Sequence, residues 1–217
     1  MSKKITMKLP RPVKKLLIKL SNIMKRVITS NPVLVLGLSL GPVVAISQSL
    51  KAGVSLSVAF GIIIVPVMAI IGFIPVKISK SVRIILSSLL SCLFFIPAFW
   101  FAQTIFPEDN DKVGIFLPLM VVNPIISSRT AKAAKGRFPL RSFIDGIETA
   151  FSFTLVMLVV SLIREVLGKG TLWDIPLGNL KGNISFLLPF MGFIIVGLLA
   201  AGVNKISEMT EKTKEEK

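Results

Sequence analysis

Asn31-Pro32-Val33-Leu34-Val35-Leu36-Gly37-Leu38-Ser39-Leu40-Gly41-Pro42-Val43-Val44-Ala45-Ile46-Ser47 is an apolar stretch that stops too early. A second one, Gly114-Ile115-Phe116-Leu117-Pro118-Leu119-Met120-Val121-Val122-Asn123-Pro124-Ile125-Ile126-Ser127-Ser128-Arg129, lies in the other half of the chain. Each holds about fifteen apolar or small residues, short of the roughly 20 that span a bilayer at full helical rise. Each also carries proline, at Pro42, Pro118 and Pro124, where an uninterrupted helix would still need its backbone N–H. They read as broken or half-length helices.

Two longer apolar runs follow each of them. The spans read 32–48 (short), 53–76, 82–106, 113–128 (short), 143–163 and 184–204. The fold class is therefore all-α integral membrane, with six transmembrane segments of which the first and fourth are short or broken. Three segments per half is an odd number, so the second half enters from the opposite side and the repeat is a 3+3 inverted one. Short segments interrupted by Gly and Pro at matching places in two halves point to a site near the midplane. A basic amphipathic segment at 1–30 precedes this 31–206 membrane domain, and a charged tail at 207–217 follows it.

Composition agrees. With 217 residues, 53% of them hydrophobic and only 17% charged, and a mean hydropathy of +0.79, the chain is too apolar for a soluble domain of this size. The net charge of +15 does not mark a nucleic-acid surface, because the Lys and Arg lie between apolar runs and are not interleaved with aromatics on a soluble face. One cysteine, Cys92, sits inside an apolar run and reads as an ordinary buried cysteine; His is absent. Neither a disulfide framework nor a metal-ligand spacing is present.

In the first 30 residues Val13, Leu16, Leu17, Leu20, Met24 and Val27 recur at helical spacing among Lys14, Lys15, Lys19, Lys25 and Arg26. That pattern suits a helix on an anionic membrane surface or a solvated basic tail that sets orientation. Loops alternate in charge: 77–83 and 129–141 are basic, whereas 107–112 reads Pro-Glu-Asp-Asn-Asp-Lys. The positive-inside rule then places both termini in the cytoplasm; the location expected for the protein is the cell's inner (plasma) membrane.

The residues offered for function fall in two groups. Gly37, Gly41, Pro42, Asn123 and Pro124 form the half-helix centre; the two breaks should face each other under cover of protein, with Gly37, Gly41, Ser39, Ala45 and Ser47 allowing close helix approach. Proline and glycine also serve plain packing in membrane helices. Arg141, Asp145 and Glu148 cluster at one end of the fifth segment and Arg164 and Glu165 at the other, as helix-end charges or as an ion site. No nucleophile, base and orienting group stand together, and no residue reads as catalytic or metal-ligating.

The stretch Gly114 to Asn123, then Arg129, Ile144-Asp145-Gly146 and Ile163-Arg164-Glu165-Val166-Leu167-Gly168-Lys169-Gly170-Thr171-Leu172-Trp173, resembles the Rnf/Nqr membrane-subunit family on its RnfE/NqrD-like side. Asn31-Pro32-Val33-Leu34-Val35 and the Gly-Pro-x-x-Ala run at 41–45 are similar to that family's first helix. The likeness runs from about residue 30 to about 205. It implies a subunit of an ion-translocating electron-transport (ferredoxin or NADH oxidoreductase) complex, paired with a sister subunit of opposite orientation (RnfA/NqrE-like) and with other subunits in the lipid bilayer. It also implies a [2Fe-2S] cluster held by a cysteine from each half-helix of each sister. Gly41 and Pro124 stand at the two positions matching those cysteines, so no such cluster is expected from this chain. Two other readings stay open: an inverted-repeat transporter or channel-like protein, and a structural membrane scaffold.

Overall fold

The computed structural model describes residues 31–75, 78–105, 113–133, 139–178 and 181–215. The basic segment at 1–30 and the acidic 107–112 loop lie outside the described residues. The first interrupted stretch supplies one short helix, α1 (Leu40–Ile46), and the chain turns at Ser47–Ser49 into α2 (Leu50–Gly72). Next come α3 (Lys80–Ile105), a 3-10 turn at Pro118–Met120 and α4 (Pro124–Ala133) in the second interrupted stretch, and α5 (Pro139–Lys169). A two-stranded hairpin, β1 (Thr171–Leu172) and β2 (Ile175–Pro176), then a 3-10 turn at Ile184–Leu187, lead to α6 (Pro189–Glu215). Helices α2, α3 and α5 are long and apolar enough to cross a membrane, and α6 adds the shorter apolar run Pro189–Lys205. The fold is that of an all-α membrane protein.

The prolines behave differently from what interruption alone predicts. Pro42 lies in the first turn of α1, and Pro118, Pro124, Pro139 and Pro189 each open their element. A first-turn residue has no intrahelical partner for its N–H, so proline costs nothing there. Pro66 and Pro97 sit inside α2 and α3, which run through them. The break in the first stretch is made instead by Gly37 (φ +63°) and Ser39 (φ +61°), both left-handed, a conformation from which no right-handed turn continues.

Lipid supplies no hydrophobic drive between helices, so close packing and polar contacts hold them together. Helices α2 and α5 pack antiparallel along their whole length on small residues. Gly53 abuts Ser161, Gly61 faces Ala150, Gly146 lies on Met68, and Gly72 lies on Ser142 and Pro139. Phe60 and Phe153 stack between them with ring centroids 4.4 Å apart. Leu56, Ile63, Ile64, Val67 and Met157 are buried in the same apolar core. The outer helix α3 shows Ile85, Leu89, Leu93, Ile96 and Trp100 along one exposed stripe, spaced three or four residues apart as one helical face. Cys92 lies on that outer side and is exposed, so it is not the buried cysteine that its apolar neighbours suggested; Ser87 and Ser91 take the inward face.

Two boundaries also shift. The fifth segment reaches beyond residue 163 to Lys169, so Arg164 and Glu165 stand within its last two turns, ahead of the glycine that ends it. It ends at Gly170 (φ +69°), whose N–H returns to Val166 O as at a glycine C-cap. The last helix starts at Pro189, because residues 184–187 form the 3-10 turn.

Candidate functional site

One side chain from each interrupted stretch joins them. Ser39 Oγ donates to Asn123 Oδ1 at 2.5 Å, and both residues are buried. Asn123 Oδ1 also accepts the Ile125 N–H at 2.8 Å, capping α4, and its Nδ2 lies 3.3 Å from Met120 Sδ. Holding Ser39 left-handed costs roughly 1–2 kcal/mol, which a buried hydrogen bond can offset. Asn31, fully buried, plays the matching part at the start of the first stretch: its Oδ1 accepts from Val33 and Leu34, and its Nδ2 donates to Ser152 O of α5.

Of the residues predicted for the centre, Asn123 is buried, Pro42 is half-buried, and Gly37, Gly41 and Pro124 are exposed. A Cβ added to Gly41 would meet nothing within 4 Å among the described residues. Among the described residues no other helix of this chain closes on Gly37 or Gly41; the close approaches within the chain are at the glycines of the α2–α5 seam and at Gly192, which lies against Val44 and Arg164. Beside Gly41 and Pro124 in sequence, Val35, Leu36, Ile115, Leu119 and Val122 are also exposed, so both interrupted stretches present apolar side chains outward.

The charged residues are divided between the two ends of α5. Arg141 is exposed, and Asp145 and Glu148 are half-buried. Arg164 and Glu165 are fully buried about 30 Å further along at 1.5 Å per residue, so the five do not form one cluster. Arg164 spends all five N–H groups. Nη1 reaches Val44 O (2.5 Å) and Ser47 Oγ (2.7 Å), Nη2 reaches Leu187 O (2.6 Å) and Leu188 O (3.3 Å), and Nε reaches Phe186 O (3.0 Å). Glu165 accepts the Leu50 N–H that opens α2 (2.5 Å), the Asp174 N–H (2.9 Å) and Thr171 Oγ1 (3.2 Å). The cation thus meets the carbonyl end of α1 and the carboxylate meets the amide end of α2, the favourable sense for both helix dipoles.

At the hairpin, Trp173 (φ +59°) and Asp174 (φ +61°) make a left-handed two-residue turn without glycine. Glu165 holds its backbone, and Asp174 pairs with Lys51 at 3.1 Å and Lys169 at 3.5 Å. The hydrogen bond from Lys51 does most to hold the Asp174 carboxyl below its ordinary value; burial opposes it, and the nearby charge of Lys169 adds to the lowering.

The donor set does not fit an iron–sulfur cluster. Glycine and proline offer no side-chain ligand, and such clusters need thiolates or imidazoles. Cys92 lies on the outer face of α3, and among the described residues no three His, Cys, Asp or Glu side chains gather. Sequence reading missed Asn31, Ser39 and the grip of Arg164 and Glu165 as organising contacts. Asn31-Pro32 and Asn123-Pro124 were the available signal: an Asn ahead of a helix or turn start caps it.

A family profile described as "Rnf-Nqr subunit, membrane protein" matches residues 19–200. The chain is 29% identical over 201 residues, 90% of its own length and 93% of the other's, to the E component of the proton-translocating ferredoxin:NAD(+) oxidoreductase complex of Clostridium ljungdahlii. It is 30% identical over 199 residues, 82% of this chain and 81% of the relative, to the E component of the ion-translocating oxidoreductase complex of Pseudomonas paraeruginosa. It is 28% identical over 179 residues, 79% of this chain and 85% of the relative, to the D component of the Na(+)-translocating NADH-quinone reductase of Pseudoalteromonas translucida.

Proposed function

The chain belongs to the Rnf-Nqr family of membrane subunits, and from that premise we propose that it is a membrane subunit of an ion-translocating oxidoreductase complex, working without iron–sulfur ligands of its own. The observation that carries the reading is the match over residues 19–200, from ahead of the first interrupted stretch to well inside α6. In this reading the two halves form the inverted repeat, a view supported by the antiparallel seam of α2 and α5, each the first long helix after an interrupted stretch. A sister subunit of opposite orientation docks where Leu119 and Val122 stand exposed near Pro124, an apolar surface of the kind that marks a protein contact. Both termini face the cytoplasm from the plasma membrane. The chain's own residues do not transfer electrons: Ser39 and Asn123 hold the interrupted stretches together, and Arg164 and Glu165 fix the corner beneath them.

Affinity purification of the whole complex from native membranes tests this. The sister subunit and redox-cofactor subunits should co-purify, and iron and acid-labile sulfide should not track with this subunit pair. Electron paramagnetic resonance of the reduced complex should show no cluster assigned to the pair, whereas the double variant Gly41→Cys and Pro124→Cys should restore thiols at the matching positions. A chain that purifies alone and moves a solute into proteoliposomes would sink the proposal in favour of a transporter. Thiols placed at Ser79 and Asn110 in a Cys92→Ala background should react with an impermeant reagent from opposite sides; reaction from one side would overturn the topology.

A further inference from the structure

We infer that the cleft between α1, the start of α2 and the second interrupted stretch is a lipid site that takes one anionic phospholipid. The cleft holds about 490 Å³ and is lined by Ala45, Ile46, Gln48, Ser49, Ala52, Ile115, Phe116, Lys169 and Pro189, within the range of small-molecule sites. Its lining divides by chemistry. Ala45, Ile46, Ala52, Ile115, Phe116 and Pro189 make an apolar wall, and Gln48, Ser49 and Lys169 make a polar edge.

That edge keeps donor capacity in reserve: an ammonium carries three N–H groups, of which the Asp174 pair takes one from Lys169. Ser49 is 3% exposed, yet its hydroxyl has no hydrogen-bond partner among the described residues, a costly state for a buried polar group. Lys169 lies 3.5 Å from Asp174, but Asp174 makes its shorter contact, 3.1 Å, with Lys51. The acceptor that completes this edge is an anionic oxygen, and the apolar wall calls for a hydrocarbon body attached to it. Lys169 closes a membrane-crossing helix and Ser49 precedes another, so the polar edge sits at a membrane boundary and the apolar wall continues from it. A phosphate headgroup over an acyl chain has that arrangement, and the Lys169 ammonium supplies a charge-assisted donor to its oxygens.

Native mass spectrometry of the full chain in detergent, titrated with phosphatidylglycerol, phosphatidylcholine of the same acyl chains, and glycerol phosphate, tests the inference. Phosphatidylglycerol should be retained one per chain and about tenfold more strongly than phosphatidylcholine, the scale of one charge-assisted hydrogen bond. Lys169→Gln, and Ala45→Trp, which fills the cleft, should each cut that retention about tenfold, and Lys132→Gln should leave it unchanged. Ser49→Ala guards against misfolding: losing an unpartnered hydroxyl should hold or raise the melting temperature of lipid-free protein while weakening lipid retention. Equal loss from Lys169→Gln and Lys132→Gln, or none from either, would overturn the site. Displacement by glycerol phosphate at the concentration that saturates phosphatidylglycerol would show a free-anion site and overturn the lipid assignment.

Discussion

Arg164 and Glu165, adjacent on α5, grip opposite sides of one corner: the guanidinium binds the carbonyl end of α1 at Val44, and the carboxylate binds the amide end of α2 at Leu50. Consecutive helical residues point about 100° apart, so the two do not need to face each other. Each meets a helix terminus that would otherwise be left unsatisfied.

Arg164→Lys is the sharper test of this grip. Lysine carries three donors and no planar fork, so at least two of the five contacts are lost with a charge still buried. Stability should fall by about 2–4 kcal/mol, read as a lower melting temperature of the purified protein in detergent. Glu165→Gln, which turns an amide N–H toward another donor, should cost about 1–3 kcal/mol. An unchanged melting temperature for Arg164→Lys would show that the contacts do not hold the corner.

The Ser39–Asn123 bond should appear as coupling. Ser39→Ala should cost about 1 kcal/mol and Asn123→Ala about 2 kcal/mol, since Asn123 also caps α4. In a double-mutant cycle the two should interact by about 1 kcal/mol. Strict additivity would mean that the two stretches are held by other contacts.

Gly146→Leu and Gly41→Leu should separate packing from sequence pattern. A side chain at Gly146 meets Met68 Cβ at 3.0 Å, whereas one at Gly41 meets nothing within 4 Å. The first should abolish folded yield on size-exclusion chromatography; the second should leave the isolated subunit's yield unchanged. Equal yields would refute the seam.

Acid should loosen the hairpin. The Asp174 carboxyl is held below its ordinary value by Lys51 and Lys169, so the charged form favours the folded state. The contribution is present above the unfolded carboxyl's value and is lost as pH falls through the lower folded one. The ion pairs are partly exposed and should weaken with salt. Trp173 fluorescence should shift below the ordinary aspartate range in the native chain but not in Asp174→Asn; identical titrations would exclude this pair as the cause.

Hydropathy alone made α2, α3, α5 and most of α6 legible, because twenty consecutive apolar residues have few alternatives to a membrane helix. It could not say which helix is central: α2 and α3 have similar composition, yet α2 is buried and α3 shows a long exposed stripe. That is decided by partners, which is also why Cys92 was misjudged. The short stretches were legible as interrupted, but proline drew the eye from the residues responsible, Gly37 and Ser39, whose left-handed backbone has only a faint signature outside glycine. Arg164 and Glu165 were legible as charges near a helix end, but not their partners, which lie far away in sequence.

That separation has a consequence for synthesis. Arg164 lies 120 residues beyond Val44, and Glu165 lies 115 beyond Leu50. The corner after Ser47 therefore leaves the ribosome long before either charge that satisfies it. Until α5 arrives, its bare amide and carbonyl groups must be kept wet or shielded by the insertion machinery. Nascent chains arrested at residue 140 and full-length chains released into the membrane should differ here: a thiol placed at Gln48 should be modified in the first and protected in the second, making the insertion of α5 the step that commits the first half to its place.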